Sequence, residues 1–384
     1  WKYGFGAAGL GMVAGLILFL WGQKYLVGQA EPNDPAKLAK KIGPFTVEWI
    51  IYLSSLVGVL IVWQLIQHTW TVHGAMHIIA LILTTWFVWF LWKKCNSVER
   101  GQMIALVFLI FGVLIFFTLY EQTYGSWVTF TDRLMTKDLF GMAGASGQII
   151  PWASFSLGLS PILMVAALSA SDRGNLALAK TMVGLLVLGL IIAIAHDVVM
   201  VPQTAGSLTF LGAFFLVVLS PIFAWLWPWL SKRGLNPSKP LKMAIGLVLA
   251  GLSFIPLIMA ADVAATGVMA SVWWLVLAYF ILELAEMCLS PIGLAAVSQL
   301  SVPRVVGLMM GAFWLATAYS EVLAAGFGKL ASLDIPEDGI IDMAAAAAKY
   351  SSMFETMLWI GVGSGILYFV LSPMIHKMMH EQKD

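Results

Sequence analysis

Eleven stretches of about twenty apolar residues run through this chain, and nothing else in it constrains the fold so tightly. They lie at about Gly4–Leu26, Pro44–Ile66, His73–Trp92, Met103–Val128, Ile149–Ala170 and Ala179–Val201, then Leu208–Leu230, Leu241–Ala260, Ser271–Leu289, Val305–Phe327 and Phe354–Ser372. Each is long enough to cross the hydrocarbon core of a bilayer as a helix. In lipid every backbone N–H and C=O must be bonded within the structure, which excludes open strands. The runs also lack the alternation of a membrane barrel. The expected fold class is therefore all-α, a polytopic membrane protein. Composition agrees: 60% of the 384 residues are hydrophobic and 11% charged, where a soluble domain carries about 25% charged residues. That excludes a disordered chain and an ordinary cytosolic enzyme. A net charge of +1 leaves no bulk field to attract a nucleic acid. Cys95 and Cys288 make no disulfide framework.

The loops between these runs alternate in charge. One set holds Lys37, Lys40, Lys41, Lys93, Lys94, Arg100, Arg173, Lys180, Lys232, Arg233, Lys239, Lys242, Arg304, Lys377 and Lys383, and the other set is poor in basic residues. Basic loops stay on the cytoplasmic side, so the C-terminus is expected inside and Trp1 outside. A first helix that begins with Trp1 rather than Met suggests that upstream spans are missing. The run Ala344–Ala348 reads as a short surface helix.

Charged groups inside a membrane cost several kcal/mol unless paired or hydrated, so each marks a candidate site. Glu121 falls in the fourth run, Glu283 and Glu286 in the ninth, and Glu321 in the tenth. No Lys or Arg sits mid-run beside them. These carboxylates must either hold protons or meet a cation from a ligand or from another part of the protein. Either case suits a proton-coupled carrier of cationic or zwitterionic solutes. Ser290-Pro291-Ile292-Gly293 is expected to interrupt the ninth helix just after Glu286, and broken helices beside carboxylates are where transporters bind and gate. Trp314 lies mid-run, where its indole N–H needs a partner. His73 and His77 have a metal-ligand spacing but no carboxylate or thiol nearby, so solvated interfacial histidines are expected and no metal. No phosphate loop, HExxH or GxSxG pattern occurs. An enzyme is not expected, nor any cofactor.

Four segments carry a resemblance: WKYGFGAAGLGMVAGL at Trp1–Leu16, FFTLYEQTYGSW at Phe116–Trp127, LSPIFAWLWPWLSKRGLNPSKPLKMAIG at Leu219–Gly246, and AEMCLSPIGLAAVSQLSVPRVVGLMMGAFWLATA at Ala285–Ala318. They resemble the sixth, seventh, eighth-to-ninth and tenth-to-eleventh core helices of the proton-dependent oligopeptide transporter family, within the major facilitator superfamily. The resemblance implies a symporter of di- and tripeptides, driven by protons across the bacterial inner membrane. It also implies that the chain is the C-terminal two-thirds of such a protein, whose partners would be peptides, protons, the lipid bilayer and the missing N-terminal helices. The family's ExxERFxYY motif is not found in these residues.

Carried over by position, Glu286 binds the peptide amino group, with Trp314, Gln122 and Ser290 lining the pocket. Glu121, Glu321 and Glu283 couple protons, while Pro291 and Gly293 form part of the gate. Residues 1–30 would be the last helix of the N-terminal bundle, 31–100 an inserted hairpin, and 101–384 the C-terminal six-helix bundle, with an extra inserted hairpin at 149–201. The family's usual Asn-Pro of the eighth helix falls at Gly212-Ala213 here, and Glu321 stands near where an Asn often follows the eleventh-helix Trp. The rival readings are a proton-driven exporter of drugs or amino acids, and an accessory subunit of a membrane complex.

Overall fold

In the computed structural model, residues 2–25, 35–137, 180, 181, 184, 204–329 and 342–380 are described. The expected spans Ile149–Ala170 and Ala179–Val201, and with them the second inserted hairpin, lie almost wholly outside the described residues. Among the described residues, eight segments are long and apolar enough to cross a membrane, so the chain is a multi-pass membrane protein whose described residues are helical apart from one two-strand turn.

Two compact units divide at Leu81 and Ile82. The first holds α1 (Lys2–Gly22), the short α2 (Pro35–Ala39), a two-strand turn of β1 (Lys41–Ile42) and β2 (Phe45–Thr46), and α3 (Val47–Ile66). The Thr46 hydroxyl accepts from Trp49 N at 3.4 Å and caps α3. Leu56, Trp63 and their neighbours along α3 are exposed, as a helix surrounded by lipid or by further protein requires. The division falls inside α4 (Thr69–Lys94).

The second unit carries the core. Its helices are α5 (Ser97–Tyr120), α6 (Ser126–Leu134), α7 (Phe210–Lys232), α8 (Lys239–Leu252), α9 (Ile255–Ala265), α10 (Trp273–Leu300), α11 (Val306–Gly328) and α12 (Met343–Met379). The long α12 packs along α8, α9 and α5, while α10 packs on α8, α7 and α5. Close approach of α8 and α12 depends on two glycines: a Cβ on Gly361 would lie 2.4 Å from Gly251 Cα. Small residues let membrane helices pack backbone to backbone, where dispersion replaces the missing hydrophobic drive.

Three expectations about helix boundaries are corrected. The run Leu241–Ala260 is two helices, α8 and α9, which meet at Ser253 and Phe254 ahead of Pro256. The Ala344–Ala348 run is the first turns of α12, not a separate surface helix; the Asp342 carboxylate accepts from Ala344 N at 3.0 Å and Ala345 N at 3.1 Å and starts it there. Pro291 does not interrupt its helix, since α10 is helical from Trp273 to Leu300. The break comes instead in the run Met103–Val128, where α5 gives way to a 3-10 turn at Glu121–Thr123 before α6 begins at Ser126.

Candidate functional site

The middle of α10 holds two carboxylates one turn apart. Glu283 is fully enclosed, at 0% exposure, and Glu286 is half-buried. The Tyr120 hydroxyl at the end of α5 donates to Glu283 Oε1 at 3.3 Å. Glu283 and Glu286 stand at i and i+3 of the helix, where side chains are neighbours. Yet Glu283 Oε2 and Glu286 Oε2 have no hydrogen-bond partner in the protein. Neither acid takes part in an ion pair among the described residues. Two buried anions without a cation are strongly unfavourable, so this pair calls for a proton or a positively charged ligand.

Three neighbours complete the enclosure; of these, sequence reasoning had named only Gly212, as a departure from the family's Asn-Pro. Gly212 on α7 faces the pair so closely that a Cβ there would lie 3.0 Å from Glu283 Oε1 and 3.6 Å from the Tyr120 hydroxyl oxygen. Tyr279, one turn before Glu283, is buried, and its hydroxyl donates to the Thr123 carbonyl at 3.5 Å. Trp127 stacks edge-on against Tyr279 at 5.1 Å between centroids. Tyr120 had a readable signal, a phenol inside an apolar run directly before Glu121. Gly212 was legible only as a departure from the family's Asn-Pro, since its contribution here is an absent side chain.

Glu121 stands at the C-terminal end of α5, half-buried, beside the exposed Glu321 of α11, close enough for the two charges to repel. Gln122, next to it, is buried at 1% exposure. Its amide donates to the Ala324 carbonyl on α11 at 3.0 Å and accepts from the Ser126 hydroxyl at 2.7 Å, so the break after α5 is tied to α11. Trp314 is 57% exposed and stands two turns before Glu321, on the same face of α11.

Tyr279, Glu283, Glu286, Ser290 and Gly293 follow each other at alternating spacings of four and three, which places them on one stripe of α10. The side chains of Ser290 and Pro291 lie outside the described residues. A Cβ on Gly293 would lie 3.1 Å from Phe313 Cε2 and 3.4 Å from Val113 Cγ2, so this glycine lets α10 sit close to both α11 and α5. The structure thus brings Glu283 and Glu286 together, and separately Glu121 and Glu321.

Comparison with known proteins gives a consistent result. A family profile described as the POT family matches residues 1–196 and 201–337. The "Uncharacterized transporter YclF" of Bacillus subtilis is 27% identical over 384 residues, covering 98% of this chain and 61% of the relative. The "Dipeptide and tripeptide permease B" of Aliivibrio fischeri is 23% identical over 380 residues, covering 99% and 63%. A crystal structure of "peptide transporter POT in complex with sulfate" shares the fold at TM-score 0.61 and 22% identity, covering 99% of this chain and 63% of that one. The chain thus spans about three-fifths of the length of the relatives it matches.

Proposed function

From the premise that the chain belongs to the POT family, we propose that it forms the larger part of a proton-coupled symporter of di- and tripeptides. The carrier works by alternating access in the bacterial inner membrane, with the C-terminus in the cytoplasm. The observation that carries this reading is the Glu283–Glu286 pair: two carboxylates in mid-helix, each with an unpartnered oxygen. A peptide's ammonium group is the cation such a pair lacks. Glu286, the more accessible of the two, is the ammonium ligand, with Trp314, Gln122 and Ser290 around the peptide. Glu121 and Glu321 form a second acidic pair that carries the driving protons, with Glu283 contributing to the coupling. Pro291 and Gly293 lie in the part of α10 that gates.

The pairs suit alternating access because α5, α10 and α11 all contribute acids, so a shift of these helices changes which groups meet. A ligand moves that equilibrium only by its different affinity for the two states.

The test is acidification inside proteoliposomes that contain the full-length protein, on addition of dialanine outside. Acidification blocked by a competing dipeptide supports the reading, and Glu286→Gln should then abolish it. A folded full-length protein that shows no dialanine-dependent proton entry overturns it.

A further inference from the structure

Glu283 sits where no peptide can touch it. It is fully enclosed. Tyr120 and Tyr124 face it from the end of α5 and the turn that follows, Tyr279 and Glu286 from α10 itself, and α7 presents Gly212, which brings no charge. Of these neighbours, only phenols and the second acid titrate.

The count of donors is short. Glu283 and Glu286 offer four oxygens, while the Tyr120 hydroxyl supplies one hydrogen, which goes to Glu283 Oε1. One Oε2 remains without a partner on each acid. A single proton on either orphaned oxygen provides a missing donor and removes one of two adjacent charges.

We propose that Glu283 is an internal proton holder, a positioning residue that receives the proton Glu286 gives up when a ligand ammonium group docks on Glu286. Before docking, one proton is shared by the pair. On docking, the O–H bond to Glu286 breaks and an O–H bond to Glu283 forms. Glu286 becomes the carboxylate that faces the ammonium, and no proton leaves for solvent. Departure of the ammonium reverses the transfer. Gly212 leaves room for this, because a Cβ there would crowd Glu283 Oε1 at 3.0 Å. The identity of the ligand rests on the peptide reading above; the residence of the proton does not.

Infrared spectroscopy of the full-length protein in lipid separates the two. In the ethylammonium-bound protein, where the proton rests on Glu283, a hydrogen-bonded carboxylic-acid carbonyl band should be present and should vanish in Glu283→Gln. Tyr120→Phe should shift the band, since the donor to Oε1 is lost, and this variant serves if Glu283→Gln does not fold. A band indifferent to both Glu283→Gln and Tyr120→Phe overturns the proposal. Dialanine or ethylammonium should then shift the wild-type band with no proton released to a dye in the medium. Release of a full proton per bound ligand overturns the transfer. A protein that shows the Glu283 band and responds to ethylammonium but does not bind dialanine upholds the proton holder and refutes the peptide reading.

Discussion

The Tyr120 hydroxyl reaches Glu283 Oε1 across 3.3 Å, joining the end of α5 to the middle of α10 at a separation of 163 residues. The contact stands beside the one place where the fourth apolar run loses its α-helical bonding, at Glu121–Thr123. A discontinuity in a membrane helix is tolerated where the backbone is buried in protein or lines a cavity. Here Gln122 supplies the burial, because both ends of its amide are bonded within the protein.

Tyr120→Phe keeps the ring and its contacts with Phe116 and Phe117 but removes the hydroxyl. Loss of one donor to a buried acid costs about 1–3 kcal/mol. The expected result is a folded protein whose proton-driven dipeptide uptake falls roughly tenfold, a factor that corresponds to about 1.4 kcal/mol. Uptake at the wild-type rate in proteoliposomes would show that this bond plays no part in coupling.

Gln122→Leu separates a binding role from a scaffold role. The buried amide bridges α11 and Ser126, and its removal takes the acceptor of the buried Ser126 hydroxyl and a second donor to the Ala324 carbonyl, at about 1–3 kcal/mol for a buried group left unpaired. The melting temperature in detergent should drop by several degrees. If Gln122 also contacts peptide, dialanine affinity measured by calorimetry at a temperature where both proteins are folded should drop as well.

How far the sequence foretells this arrangement depends on what kind of signal each feature leaves. Apolar runs are the most legible, because the bilayer demands their length; most described spans overlap the runs read from the sequence. Glu283 and Glu286 are legible because a charge in such a run has no inexpensive explanation. Their enclosure is not, since it depends on Tyr120 and Gly212 from distant helices. The helix break was sought at Pro291 and lies at Glu121–Thr123 instead. One proline removes one donor, and the surrounding helices hold the rest of the ladder: Pro221 and Pro228 also lie inside α7, and Pro373 inside α12. The break after α5 is sited by a tertiary contact, the Gln122 bond to Ala324, which leaves no periodic trace.

Gly361→Ala tests the helix packing that holds the site in place. The added Cβ would lie 2.4 Å from Gly251 Cα and 3.0 Å from Leu119 Cδ1. Backbone on one side cannot move without separating α8 from α12, so the strain is not relieved by a rotamer change. Overpacking of this kind costs about 1–3 kcal/mol or more. A lower melting temperature and earlier aggregation on size-exclusion chromatography are expected, whereas the Gly326→Ala control, with nothing within 4 Å, should behave as the wild type. Equal stability of the two variants would mean that α8 and α12 are not in backbone contact.

Arg304 makes the last prediction, at the end of the bundle rich in basic residues. From the turn between α10 and α11 it donates to the Lys94 carbonyl at 2.6 Å and to Glu99 Oε2 at 3.3 Å, with its guanidinium 5.4 Å from the Phe90 ring centroid. Glu99 is already engaged, because it forms a capping box with Asn96 at the start of α5. One side chain thus satisfies a carbonyl at the C-terminus of α4, where a cation is favoured, and fastens the α4–α5 turn to the α10–α11 turn. The ion pair itself is half-exposed and so contributes little. Most of the effect comes from the carbonyl bond, about 1 kcal/mol. Both bonds leave from Nη2, so Arg304→Lys should keep the charge yet lose the planar guanidinium that aims this nitrogen at both acceptors. In hydrogen exchange, both Arg304→Ala and Arg304→Lys should raise the exchange of amides around Asn96–Arg100, with dialanine affinity unchanged in each. Protection restored fully by Lys would mean that charge alone, not the guanidinium geometry, holds the two turns together.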